Sequence, residues 1–172
     1  MSEKVDTHRL DRHYIMIKPL YFGLIVNILI PMALILVCYF IEVRGGGRVN
    51  RVGDFANTLF YLLVGVGILQ SLFAFWWRQK MYGELMVKSA ASFQEDMARA
   101  LLVRSRPIFT IIAIVALYGI AYYFLTGRFL ETVVIVFFSF AAFQIVRPRF
   151  GFLDRLIAKQ AEMLEHPGAP QS

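Results

Sequence analysis

The chain has 172 residues, of which 58% are apolar and 17% charged, and its formal net charge is +6. Ordinary soluble domains contain about 45–50% apolar and about 25% charged residues. A soluble domain of this length cannot bury so much apolar surface, so the composition argues against a water-soluble fold.

The first 18 residues are polar and basic, and we predict a short helix at the membrane interface there. We expect no cleavable signal peptide, because the first apolar run begins only after Lys18 and has no small-residue exit site. Residues 19–41 contain no Asp, Glu, Lys or Arg and are long enough for a first membrane span. Pro19 suits the first turn of that span, where its missing N–H would have no partner anyway.

Three residues of the first span are candidates for close helix packing. Gly23, Asn27 and Pro31 recur every four residues, so a helix places them on one face. Small residues let helices approach, Asn can hydrogen-bond across an interface, and Pro31 is expected to kink or loosen the helix. Packing is the favoured interpretation, and a substrate or proton site at Asn27 is the alternative. Cys38, the single cysteine, lies in the same span and excludes a disulfide framework.

A loop over 42–54 connects the first span to a second, over 55–77. The loop contains a run of three glycines at 45–47 but not the Lys-Ser/Thr of a nucleotide-binding loop, so we predict a flexible surface loop. Gln70 and Ser71 lie inside the second span and would be unfavourable against lipid, so they should face other helices. The two spans form a first predicted hairpin over 19–77.

Residues 78–106 are predicted to form a cytoplasmic amphipathic helix, uninterrupted from Tyr82 to Leu101. Its apolar stripe must be covered by the bilayer surface, the C-terminal helix or another chain. We expect Phe93 and Met97, near the centre of the stripe, to be its most buried members. The candidate partner-binding stripe comprises Leu85, Met86, Phe93, Met97 and Leu101.

A second hairpin is predicted over 107–147, with spans at 107–127 and 129–146. Ala113, Ala116 and Gly119 form a seam of small residues, and the very short link predicts tightly packed antiparallel helices. Glu131 lies about three residues inside the last span. We interpret it as an interfacial residue at the start of a helix, and a proton-carrying role is the alternative.

Residues 148–172 are predicted to form a cytoplasmic helix, from about 152 to 164, and a disordered tail. The two halves of the chain share boundary motifs. A basic residue and proline occur at 18–19 and 106–107, and an aromatic residue and glycine at 82–83 and 150–151. These matches suggest a tandem repeat, with coincidence as the rival explanation.

The basic residues define an orientation. Fourteen of the 18 lie in the N-terminal segment, the middle segment or the C-terminal segment, which all fall on one side of a four-span chain. The positive-inside rule then predicts that both termini are cytoplasmic. We expect the membrane to be a cell membrane, specifically a bacterial inner membrane. The same distribution favours lipid headgroups over nucleic acid as the partner of these charges.

We therefore predict an all-α integral membrane protein with four transmembrane helices in two hairpins and additional amphipathic helices. The three histidines lie outside the spans, and we find no protease or nucleotide-binding motif, so we expect no enzyme activity, cofactor or metal. The predicted function is an accessory, assembly or scaffold subunit that binds other membrane proteins or itself. The alternatives are an unfamiliar membrane enzyme and a small transporter or channel component, whose polar interior would be formed by Asn27, Gln70, Ser71, Glu131 and Gln144.

Overall fold

The computed structural model describes residues 10–44 and 52–165, which form helices and connections without any strand. The helices are α1 (Arg12–Leu24), a π-helical turn (Ile25–Leu29), α2 (Ile30–Val43), α3 (Phe55–Gly83), α4 (Phe93–Thr126), α5 (Phe129–Val146) and α6 (Phe150–Glu165). Four helical segments are long and apolar enough to cross a membrane. The first consists of α1, the π-helical turn and α2 together, and the other three are α3, α4 and α5. The predicted all-helical fold with four such segments is confirmed. The glycine run and the predicted disordered tail lie outside the described residues.

The first long segment is a single helical rod with a loosened turn in its middle. It begins after Asp11, whose carboxylate accepts a hydrogen bond from the Tyr14 backbone N–H at 3.1 Å. The helix passes through Pro19 without a break, so the prediction that Pro19 lies in the first turn of its helix is wrong. The helix begins at Arg12, seven residues before Pro19, so the proline lies well inside it.

Pro31 explains the π-helical turn. Proline has no N–H, so it cannot bond to the carbonyl four residues earlier. The N–H of Ile30 bonds instead to the carbonyl of Ile25, five residues back, which widens the helix over one turn. The predicted local loosening at Pro31 is confirmed.

The α4–α5 hairpin forms the centre of the bundle. Gly127 adopts φ +70°, which glycine tolerates, and its N–H bonds to the Tyr123 carbonyl at 2.8 Å. Gly119 lets the two helices approach closely, since a Cβ there would lie 3.1 Å from the carbonyl oxygen of Thr132. The predicted tight hairpin and the small-residue contact at Gly119 are confirmed.

The predicted first hairpin is not a packed pair of helices. Cys38 and the α2 side chains around it pack with Ala116 and Val136 on one face of the α4–α5 hairpin. Leu63 and Val64 of α3 pack with Val115 and its neighbours in a different cluster. The sequence-adjacent α2 and α3 are absent from the closely packed helix pairs. The long connection after Val43 permits this separation, whereas the two residues between α4 and α5 do not.

The predicted continuous helix over 82–101 is wrong. Helix α3 ends at Gly83, residues 84–92 form an irregular connection, and α4 begins at Phe93. The connection is stable because side chains from two other places hydrogen-bond its backbone, as described below. Periodicity could not reveal the break, since apolar residues on both sides of it are buried in the same core.

We call the end of the bundle that carries this connection and α6 the basic end. Its core combines α1, α4 and α6 with the 84–92 connection. Arg12 of α1 forms a salt bridge with Asp154 of α6 at 3.1 Å, and the His13 ring lies edge-on against Phe150. The predicted C-terminal helix is confirmed as α6. The tandem repeat stays a prediction, and its two aromatic-glycine motifs differ in place, because 82–83 end α3 whereas 150–151 begin α6.

Candidate functional site

The three candidates on the first span are buried at helix contacts. Gly23 lies against two aromatic rings, and a Cβ there would be 2.7 Å from Phe143 and 2.9 Å from Phe109. Asn27 is fully buried and donates from Nδ2 to the Gly23 carbonyl at 3.2 Å, while its Oδ1 has no hydrogen-bond partner among the described residues. Pro31 is buried one turn further. These positions do the packing that the sequence suggested.

The polar residues of α3 are satisfied by neighbouring groups. Gln70 donates from Nε2 to the Ile111 carbonyl at 2.6 Å and accepts from the Tyr118 hydroxyl at 3.0 Å. Ser71 donates to the Gly67 carbonyl of its own helix at 2.7 Å. Gln70 therefore ties α3 to α4, as expected for an amide inside an apolar helix.

The last two candidate polar positions lie in α5. Glu131 is in the first turn and pairs with Arg128 at 3.4 Å, which supports the interfacial interpretation. Gln144 is half-buried near the other end of the helix. In residues 10–44 and 52–165, no hydrogen bond connects Asn27, Gln70, Glu131 and Gln144 with one another.

The candidate partner-binding stripe is mostly covered by the chain itself. Phe93, Met97 and Leu101 are 0–1% exposed, and Met86 is 8% exposed. They pack with buried α6 side chains, including Leu153 and Ile157, in the core of the basic end. Only Leu85 remains exposed. The sequence analysis left three possibilities for what covers the stripe, and in the structure the C-terminal helix α6 covers it.

Two residues that the sequence analysis missed hold the 84–92 connection. Gln160 of α6 is fully buried, accepts from the Met86 N–H at 2.7 Å and donates to the Glu84 carbonyl at 3.0 Å. Arg104 of α4 donates to the carbonyls of Met81, Glu84 and Leu85. An amide in the apolar stripe of α6, next to Leu156, Ile157 and Ala161, was the available signal for Gln160.

A local cluster of polar side chains stabilises the start of α4. This part of the helix precedes the charge-free residues 107–126. Asp96 accepts from the Ser92 hydroxyl at 2.9 Å and from the Lys88 N–H at 3.2 Å. These hydrogen bonds, the Ser92 one foremost, lower the pKa of the Asp96 carboxyl below its ordinary value. The carboxylate thereby fixes where α4 begins.

Arg78, near the end of α3, is only 6% exposed. Its guanidinium lies 4.3 Å from the centre of the Phe152 ring and reaches the Ile145 carbonyl at 3.5 Å. Its Nε has no hydrogen-bond partner, and the described part of the chain places no carboxylate within 4.0 Å of it. A buried cation without a counter-charge is unfavourable unless another group compensates it.

Two surface depressions follow one side of α3 toward the basic end. The first, which we call the α3–α5 groove, is almost entirely apolar and is lined by Ile68, Ser71, Leu72, Phe75, Phe138, Ala141, Ala142, Ile145 and Val146. The second, which we call the basic pocket, lies between the end of α3 and α6 and is lined by Gln79, Tyr82, Gly83, Phe152, Arg155, Leu156 and Lys159.

Arg78 lies between the two depressions, because it contacts Ile145 of the groove and Phe152 of the pocket. Within the described ranges, no group of three or more His, Cys, Asp or Glu side chains is placed to hold a metal ion. Comparison of the chain with protein-family models, with curated proteins and with solved structures finds no match.

Proposed function

We propose that the chain is an integral protein of a cell membrane, specifically a bacterial inner membrane, with the basic end and both termini in the cytoplasm. Four apolar membrane-length helices support insertion. The orientation is supported by the concentration of basic residues at the end that carries α6 and the 84–92 connection.

Cysteine labelling tests this orientation together with the packing of the basic end. In a Cys38→Ala background, we expect Leu85→Cys to react quickly with a membrane-impermeant maleimide in inside-out vesicles, because Leu85 is 48% exposed. Phe93→Cys and Met97→Cys should react slowly, since both positions are buried. Intact cells should label none of the three. Labelling of position 85 in intact cells would reverse the orientation, and fast labelling at 93 and 97 would contradict the packing.

Within that membrane, the proposed function is an accessory, assembly or scaffold subunit that binds another membrane protein or a second copy of itself. The observation that carries this proposal is the outer face of α3. Only 11% of the most apolar stretch of α3 is buried, against 50% for α4. The outer face of α3 comprises the exposed side chains of Tyr61, Leu62, Leu69 and Trp76 together with the half-buried Gly65.

The outer face of α3 has the shape that a second helix requires. Tyr61 and Leu69 are 72% and 69% exposed, and they flank Gly65, where a Cβ would meet nothing within 4 Å. A small residue between large apolar ones lets another helix approach closely in a membrane. The transporter alternative has less support, because no hydrogen bond among the described residues connects Asn27, Gln70, Glu131 and Gln144 into one polar site.

Photo-cross-linking in native membranes tests the outer face of α3. We expect a benzophenone amino acid at position 69 to give one discrete protein adduct, whose mass identifies either a second copy or another subunit. The matched control is the same amino acid at Phe137, which is 67% exposed on α5 and lies outside this face. Gly65→Leu should suppress the adduct by filling the space between the helices. Equal, lipid-only labelling at 69 and 137 would contradict the proposal.

A further inference from the structure

We propose that the α3–α5 groove and the basic pocket together bind one anionic phospholipid, with an acyl chain in the groove and the phosphate in the pocket. This inference rests on the membrane insertion proposed above but not on a protein partner. It commits to a lipid because an apolar depression and a depression lined by two cations follow one another along the same side of α3.

The lining residues place the two depressions in register along one helix. Ile68 and Phe75 of the groove are followed one turn later by Gln79 of the pocket, on the same side of α3. At 1.5 Å per residue, Ile68 to Gln79 spans about 16 Å, which is close to half of the roughly 30 Å hydrocarbon core. The groove thus covers one leaflet, and the pocket lies at the level of its headgroups.

The charges of the pocket are those that a phosphate requires. Arg155 and Lys159 are exposed and lie one turn apart on α6. Arg155 donates from Nε to the Gly151 carbonyl at 3.1 Å, a bond that uses neither of its two terminal nitrogens. Glu162 follows one turn further and does not line the pocket. Basic pockets at this level of a membrane protein suit anionic headgroups.

Arg78 supplies an independent observation. It is buried between the groove and the pocket, its Nε lacks a hydrogen-bond partner, and no carboxylate of the described residues compensates its charge. The Arg78 guanidinium contacts Phe152 of the basic pocket, so a phosphate bound there would supply a counter-charge for this buried cation. A zwitterionic lipid would neutralise that effect with its own ammonium group.

Native mass spectrometry of the full chain in detergent tests the proposal, with phosphatidylglycerol and phosphatidylcholine of identical acyl chains as probes. We expect phosphatidylglycerol to be retained preferentially as a single bound molecule. The double variant Arg155→Gln/Lys159→Gln should weaken that binding about thirtyfold, given the attraction of each basic residue to anionic lipid. Lys88→Gln/Arg99→Gln removes the same charge from exposed positions outside the pocket and should leave binding unchanged.

The apolar half of the site has its own variant pair. Ala141→Phe fills the groove and should reduce binding of both lipids, whereas Val134→Phe, at an exposed position of α5 outside the groove, should not. Equal binding of the two lipids, or unchanged phosphatidylglycerol binding by Arg155→Gln/Lys159→Gln, would overturn the proposal. Competition by inorganic phosphate alone, with no effect of Ala141→Phe, would identify a simple anion site and also overturn it. Loss of the chain from the membrane fraction would instead defeat the insertion on which both proposals depend.

Discussion

Replacing Gly119 with alanine is expected to destabilise the purified protein by about 1–3 kcal/mol, the range of overpacked cores. The added Cβ would lie 2.9 Å from Cγ2 of Val136, 3.2 Å from Cβ of Ile135 and 3.1 Å from the carbonyl oxygen of Thr132. The Thr132 carbonyl is backbone within α5, so relief requires the two central helices to separate. Thermal unfolding in detergent, followed by circular dichroism, measures the loss as a lower midpoint.

The matched control for this prediction is Gly65→Ala. Gly65 also lies within a membrane-length helix, but a Cβ there meets nothing within 4 Å. Alanine is favoured over glycine inside a helix by about 1 kcal/mol, so this variant should unfold at the same temperature or higher. Equal behaviour of the two variants would show that Gly119 does not set the spacing of α4 and α5.

Replacing Gln160 with leucine is expected to release the 84–92 connection while leaving α6 helical. The change removes the acceptor for the Met86 N–H and the donor to the Glu84 carbonyl. Met86 is buried, and an unpaired buried N–H costs about 1–3 kcal/mol. Hydrogen exchange should therefore accelerate at the Met86 amide, and the unfolding midpoint should fall.

Glu162→Leu is the control for the Gln160 variant, because Glu162 lies on α6 at an exposed position and does not bond the connection. It should leave exchange at Met86 unchanged. Unaltered protection of Met86 in Gln160→Leu would mean that Arg104, which donates to Glu84 and Leu85, holds the connection by itself.

The sequence alone determined the number of membrane-length helices and several local features. Charge-free runs of about 20 residues identify membrane-length helices, because each helix satisfies its own backbone hydrogen bonds and the length is set by the bilayer. Pro31 predicted a loosened turn, since the missing N–H is a property of the residue itself. The two residues between α4 and α5 permitted only a tight antiparallel pair.

Only the tertiary structure decided where the chain breaks at the basic end and which helices touch. The stop after Gly83 depends on Arg104 and Gln160, which are distant in sequence and satisfy backbone groups that a helix would otherwise satisfy. The burial of Arg78 and the alignment of the α3–α5 groove with the basic pocket depend on the placement of α6 against α3. A pattern of apolar residues shows that a helix face is buried, but it does not identify the segment that buries it, because the hydrophobic effect is non-directional. The hydrogen bonds that select the segment join residues distant in sequence and require specific positions.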